Sequence, residues 1–268
     1  MSLVCSSLSF QYGRDRVVDD VSFQVEKSTF CAVLGRNGSG KTTLLHCLAG
    51  ILRPAPGRVE LEGLDLSRAS RIEIARRVSL VPQEHTDIFP FQVIDVVVMG
   101  RTPFLSPGGR PGPDDYDRAW DALTTLQAGY LGERNFNKIS GGERRIALLA
   151  RALLQSRDTV LLDEPTTHLD FHNTYRLLGR IKNLCKARSI RAVAAMHDPN
   201  LAFLFADQVV MLKDGRLLAE GPPEKVMTAK GVSQLYGTET RLEELPDGQR
   251  LFLPAFLQGR GKEGGESS

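Results

Sequence analysis

Nine consecutive residues, Gly35 to Thr43 (GRNGSGKTT), follow the spacing GxxxxGK[ST], with Gly35, Gly40, Lys41 and Thr42 at its fixed places. Residues without a bulky Cβ let the backbone curl, so that successive N–H groups converge, and such a nest suits phosphate oxygens. Lys41 can then reach the β- and γ-phosphates of a nucleotide, and the Thr42 hydroxyl can ligate magnesium. A second group lies in Thr159 to Pro165 (TVLLDEP), where an apolar run ends on Asp163 and Glu164. Adjacent carboxylates past a buried strand suit two tasks: one holds magnesium or its water, the next positions and deprotonates an attacking water. A third is Ile139 to Glu143 (ISGGE). Ser140 and Glu143 make a capping box. The intervening Gly141 and Gly142 weaken a first helical turn but expose backbone N–H groups at a helix N-terminus, an anion site. Gln83, after Val-Pro, and His197, after AVAAM, stand at strand ends. Taken alone they read as a surface glutamine and a structural histidine.

The elements that must hold these residues follow from periodicity. Thr29–Leu34 reads as a buried strand, and Lys41–Leu52 as a helix with Leu44, Leu45, Leu48, Ile51 and Leu52 at helical spacing. The glycines therefore sit between strand and helix, where the helix dipole adds partial positive charge. Residues 2–34 otherwise look like strands and turns, with Val21, Phe23 and Val25 alternating with polar neighbours. Pro56-Gly57 and Asp214-Gly215 mark tight turns or hairpins. A charged helix is expected from residue 70 to 77 and a short strand at Val78–Val81. The Pro- and Gly-rich stretch 101–113 is expected as a loop. Tyr116, Ala119, Trp120, Leu123 and Leu126 describe an amphipathic helix, and another starts after Ser140. The span from about 84 to 157 thus reads as a helical insertion in an α/β core. Strands at Thr159–Leu162 and Ala192–Met196, with a helix between them, imply a parallel sheet. The last ten residues, GRGKEGGESS, are expected to be a mobile tail. No internal repeat is visible.

Bulk properties narrow the class. The 268 residues suffice for a full core, and 41% hydrophobic with 25% charged residues is ordinary for a globular protein. The net charge of +2 argues against a strongly basic nucleic-acid surface. There is no run of about 18 apolar residues for a membrane span. The N-terminus lacks the basic and apolar regions of a signal peptide, so a cytoplasmic chain is expected. Cys5, Cys31, Cys47 and Cys185 are far apart and read as buried, reduced thiols.

Together the phosphate loop, Gln83, ISGGE, LLDEP, His168-Leu169-Asp170 and His197 resemble, in that order, the ATP-binding cassette (ABC) ATPase family over about residues 2–237. Ile139 and Glu143 depart from its usual leucine and glutamine. The resemblance implies a P-loop NTPase (RecA-like) α/β core with an N-terminal antiparallel β subdomain and an inserted α-helical subdomain. Residues 238–268 would be a C-terminal extension. It also implies an ATP-hydrolysing subunit using ATP and magnesium, in which two copies pack head to tail and each ATP lies between one phosphate loop and the other copy's ISGGE helix. Tyr12 would stack on adenine. Gly35, Arg36, Asn37, Gly38, Ser39, Gly40, Lys41, Thr42 and Thr43 would hold the phosphates. Thr42, Gln83 and Asp163 would organise magnesium, Glu164 would polarise water, and His197 would contact the γ-phosphate. Ser140, Gly141, Gly142 and Glu143 would complete the partner's site. Residues 89–103 (FPFQVIDVVVMGRTP) and the stretch from His197 to Met227 resemble the subfamily importing iron–siderophore, haem or cobalamin chelates, and also molybdate. That implies permease subunits docked near DVVVMGR, a substrate-binding protein further out, and a peripheral place on the cytoplasmic face of the membrane. A soluble ABC ATPase is the rival class. Such proteins usually carry a long coiled coil or two cassettes, and this chain has one cassette and no sustained heptads.

Overall fold

The structure, a computed structural model, describes residues 2–83, 90–156, 158–246 and 248–257. Strands β1 (Ser2–Tyr12) and β2 (Asp15–Glu26) form a hairpin that joins β4 (Arg58–Leu61) and β5 (Leu64–Asp65) in an antiparallel sheet of order β2-β1-β4-β5. The larger sheet has the order β10-β9-β3-β8-β7-β6. Its strands are β3 (Phe30–Leu34), β6 (Val78–Val81), β7 (Thr159–Asp163), β8 (Arg191–Met196), β9 (Gln208–Lys213) and β10 (Arg216–Gly221). All pair in parallel except β10, which returns on β9 through the Asp214-Gly215 turn. Both turn residues have positive φ, 48° and 78°, the geometry of a tight hairpin.

Side-chain alternation along β3 explains the layering. Cys31 and Val33 face one apolar core, shared with the antiparallel sheet and with Leu44, Leu45 and Leu48 of α1 (Lys41–Leu48). Phe30, Ala32 and Leu34 face a second core on the opposite side. Helices α3 (Val93–Val98), α4 (Pro113–Thr125), α5 (Gly141–Gln155) and α6 (Phe171–Arg188) fill that side. Of these, α3 to α5 lie between β6 and β7; residues 84–89 and 157 lie outside the described residues.

Several boundaries differ from the sequence reading. α1 stops at Leu48, because Gly50 turns left-handed at φ 66° and leaves Ile51 60% exposed. The stretch expected as a loop from 101 begins inside a 3₁₀ turn, Met99–Phe104, and α4 starts with Pro113 in its first turn. α2 (Arg71–Arg77) forms where expected, with a Ser70–Glu73 capping box. Beyond β10, α8 (Pro223–Val226) and α9 (Ala229–Tyr236) precede an unanticipated hairpin, β11 (Thr240–Glu244) with β12 (Arg250–Pro254). It packs on α7 (Pro199–Phe205), where Asn200 donates to the Phe252 carbonyl at 3.2 Å and accepts from its N–H at 2.7 Å. The expected tail lies outside the described residues. Among those residues no helix is long and apolar enough to cross a membrane.

Candidate functional site

Parallel strands bring their carboxyl ends to one edge, the usual place for a ligand in an open α/β sheet. Four adjacent strands deliver chemistry there. β3 leads into the Gly35–Thr43 loop, β8 into His197, β7 into Glu164, and β6 through Pro82 to Gln83. A cavity of about 290 Å³ opens at this edge, lined among others by Asn37, Gly38, Lys41, Thr42, Gln83 and Glu164.

The loop's glycines are needed sterically. Gly40 has φ 95°, and a Cβ there would lie 2.6 Å from the Val17 carbonyl oxygen. A Cβ on Gly35 would strike the Leu212 carbonyl. Ser39, 5% exposed, keeps a buried hydroxyl without a hydrogen-bond partner among the described residues. The Lys41 ammonium donates to the carbonyls of Gly35 (2.9 Å) and Arg36 (3.1 Å) and lies 3.9 Å from Glu164 Oε1. Burial pushes its proton affinity down, and the Glu164 and Asp163 carboxylates pull it partly back.

The two carboxylates stand differently. Thr42 Oγ1 donates to Asp163 Oδ1 at 3.2 Å, and burial lifts the Asp163 carboxyl above its ordinary range. Glu164 sits at φ 46°, an uncommon left-handed conformation for a non-glycine residue, while its N–H continues the β8 ladder to Ala195 O at 3.2 Å. Its Oε2 accepts from Gln83 Nε2 and Thr167 Oγ1, each at 3.0 Å, and lies 3.9 Å from His197 Nδ1. Glu164 is thus held from three sides.

Magnesium takes hard oxygen ligands, commonly one or two carboxylates completed by water and substrate phosphates. The Thr42 hydroxyl, the Asp163 carboxylate and the Gln83 amide oxygen fit that donor chemistry. Among the described residues no cluster of three or more His, Cys, Asp or Glu could hold a metal without such help.

Other expected residues stand apart. Tyr12 ends β1, 51% exposed and edge-on to Phe10, and is not among the residues lining the phosphate-loop cavity. Ser140 caps α5 by accepting from Glu143 N–H, and the Glu143 carboxylate accepts from Ser140 N–H at 2.9 Å. None of Ser140–Glu143 lines that cavity; Gly141 lines a separate one with Gln83, Arg145, Thr167 and His168. Much of the DVVVMGR stretch is interior, since Val96 to Val98 are core residues and Gly100 is buried, while Met99 is exposed. Sequence reasoning missed Thr167, Arg145 and Tyr236, whose hydroxyl donates to the His197 carbonyl at 2.8 Å. Thr167 carried a usable signal, three residues beyond Glu164. The other two act on backbone carbonyls 62 and 39 residues away, which no local pattern reveals.

Comparison with known proteins bears on the same residues. The family model described as ABC transporter matches residues 18–167, which include the phosphate loop, Gln83, Ser140–Glu143 and both carboxylates. A hemin import ATP-binding protein of Nocardia farcinica is 39% identical over 241 residues, covering 89% of this chain and 82% of that one. A protein of Helicobacter pylori named "Probable iron chelatin transport ATP-binding protein" is 36% identical over 257 residues, covering 96% of this chain and all of its own. Among solved structures, a metal-chelate type ABC transporter in an inward-facing conformation superposes with TM-score 0.83 at 29% identity, covering 94% of this chain and 96% of its own.

Proposed function

The chain belongs to the ABC transporter family as one of its ATP-binding, ATP-hydrolysing subunits, and from that premise we propose that it energises uptake of an iron–siderophore, haem or cobalamin-type metal chelate through a membrane permease. The cargo class is supported by relatives at 36% and 39% identity named for iron chelatin transport and hemin import. The ATPase unit is residues 2–237, with 238–268 as an extension. The working form is a pair of copies, head to tail, on the cytoplasmic face of the membrane. One observation carries the pairing: the phosphate-loop cavity is lined by Lys41, Gln83 and Glu164 but by none of Ser140–Glu143. Each chain thus carries two half-sites, and a two-fold operator brings unlike halves together.

The chemistry follows from positions. Gly35 to Thr43 bind the polyphosphate, with Lys41 supplying charge, and Tyr12 supplies a stacking face for adenine. Thr42, Asp163 and Gln83 would hold magnesium, which neutralises charge on the phosphate oxygens when bound. Glu164 takes the proton of the attacking water, and Gln83 and Thr167 keep its carboxylate aimed. His197 meets the γ-phosphate. Ser140, Gly141, Gly142 and Glu143 of the second copy close the site with the N-terminus of α5. Hydrolysis removes the phosphate that bridges the copies, so the interface opens. The permease contact lies in a groove of about 480 Å³ lined by Ile51, Arg71, Ile74, Leu80, Pro82 and Arg151. The groove adjoins Gln83 through Pro82, and Ile51 on its wall stands 60% exposed, an apolar group that suits a partner.

Ser140→Arg tests the pairing. It blocks closure between copies, so hydrolysis is lost while a dilute monomer binds ATP with unchanged affinity. Loss of ATP binding at concentrations too low for dimers would place Ser140 at its own chain's nucleotide and contradict the head-to-tail site.

A further inference from the structure

Arg145 lies on α5, two residues beyond the ISGGE motif, with only 7% of its surface exposed. Its guanidinium donates Nη1–H to the Pro82 carbonyl at 2.8 Å and Nη2–H to the Gln83 carbonyl. Pairing of β6 with β7 ends at Val81↔Leu162, so both carbonyls belong to backbone that has left the sheet. A planar guanidinium can fix two neighbouring acceptors at once, which an ammonium does not. The residues it fixes are pivotal. Pro82 lines the exposed groove on one side, and Gln83 lines the phosphate-loop cavity on the other. The Gln83 amide then donates to Glu164 Oε2 at 3.0 Å. The contacts run continuously from α5 to Arg145, to backbone 82–83, to the Gln83 amide, to the Glu164 carboxylate. Burial lowers the guanidinium's proton affinity, and the Asp163 and Glu164 carboxylates restore part of it.

We propose that Arg145 is a positioning residue for hydrolysis: by clamping the carbonyls of Pro82 and Gln83 from α5, it sets the Gln83 amide on Glu164 and holds that carboxylate in its working place. This rests on the ATPase reading of the site. It also makes Glu164 responsive to any shift of α5 or of the groove wall, because both bear on the same two peptide units.

The test is steady-state hydrolysis by the full chain with ATP and magnesium, for Arg145→Met, Arg145→Lys, Gln83→Ala and the Arg145→Met/Gln83→Ala double variant. Misplacing a reacting group by about 1 Å costs up to about 10²-fold. Arg145→Met is therefore expected to lower kcat about 10- to 100-fold with KM for ATP nearly unchanged. Arg145→Lys, which keeps the charge and makes one bond in place of two, is expected to fall between it and the wild type. The double variant is expected to be no slower than the worse single variant, because both lesions break one chain of contacts. Multiplying losses, a raised KM at unchanged kcat, or full activity in Arg145→Lys would overturn the proposal. If Arg145→Met does not fold, judged by its thermal melt, the cycle is run with Arg145→Lys and the same criteria. Glu164→Gln in parallel separates the two failures: normal phosphate release there sinks the ATPase reading itself, whereas a dead Glu164→Gln beside additive Arg145 and Gln83 losses sinks only the clamp.

Discussion

At the scale of single residues, the proposed function gives binding and turnover to different side chains. Lys41 brings a buried ammonium to the phosphate loop at the carboxyl end of β3. Charge-assisted hydrogen bonds are worth about 1.5–3 kcal/mol each, so Lys41→Ala is expected to weaken ATP binding at least about tenfold. Titration with a fluorescent ATP analogue measures it, and unchanged affinity would leave the phosphate-loop assignment without support. Much of the candidate site was legible from local spacing, as glycines in a loop and two carboxylates after an apolar run, whereas Gln83 and His197 became candidates only through the family resemblance. What escaped acts at long range. Arg145 reaches carbonyls 63 and 62 residues away, and a hydrogen bond to backbone places no demand on the partner's side chain. The positive φ of Glu164 was equally invisible, since glutamate is not a residue type that announces a left-handed turn.

At the scale of elements, the antiparallel sheet is fastened to the core by a buried charge. Arg191, the first residue of β8, is fully buried and donates to Thr159 Oγ1 at 3.0 Å. It also lies 3.4 Å from Glu62 Oε1, in the β4–β5 turn, which is 2.8 Å from Lys27 Nζ. Burial alone would raise the Glu62 carboxyl, yet Lys27 and Arg191 hold it below its ordinary range. With the folded value depressed, this stabilisation is present above the ordinary glutamate range and is lost as pH falls through the lowered value. Glu62 is one of three carboxylates that favour the charged Arg191, with Asp158 and Glu26, and hydrogen bonds to charged groups are worth about 1.5–3 kcal/mol. Glu62→Ala is therefore expected to lower unfolding stability by about 2 kcal/mol in urea titration at neutral pH, and no measurable loss would mean that Lys27 and Arg191 relax onto other partners. Element type was read correctly where the pattern was clear, as in the apolar run of β3 and the periodic face of α4. The end of α1 was misplaced because Ile51 and Leu52 continue the helical spacing past Gly50, and periodicity cannot weigh one left-handed glycine. The β11–β12 hairpin was missed because its strands alternate weakly around charged residues, and its place depends on Asn200, 52 residues before Phe252.

At the scale of the whole molecule, the parallel sheet sets the site along one edge and the insertion sets α5 beside it. The groove that adjoins Pro82 is where the proposed permease contact would reach this edge. The core was readable from the βαβ rhythm, but the cargo was not, because in the proposed role it would touch other chains. The proposed head-to-tail pairing was likewise not legible in spacing and entered only through the family resemblance. The central claim is that Glu164, held by Gln83 and Thr167 beside the phosphate loop, drives ATP hydrolysis. It is tested most directly by phosphate release from the full chain at saturating ATP and magnesium, wild type against Glu164→Gln, with ATP affinity measured on both. Loss of a general base removes about 10²-fold or more. The expected result is turnover reduced by at least that factor at unchanged ATP affinity. Phosphate release from Glu164→Gln close to the wild-type rate would contradict the assignment of Glu164 to the chemistry.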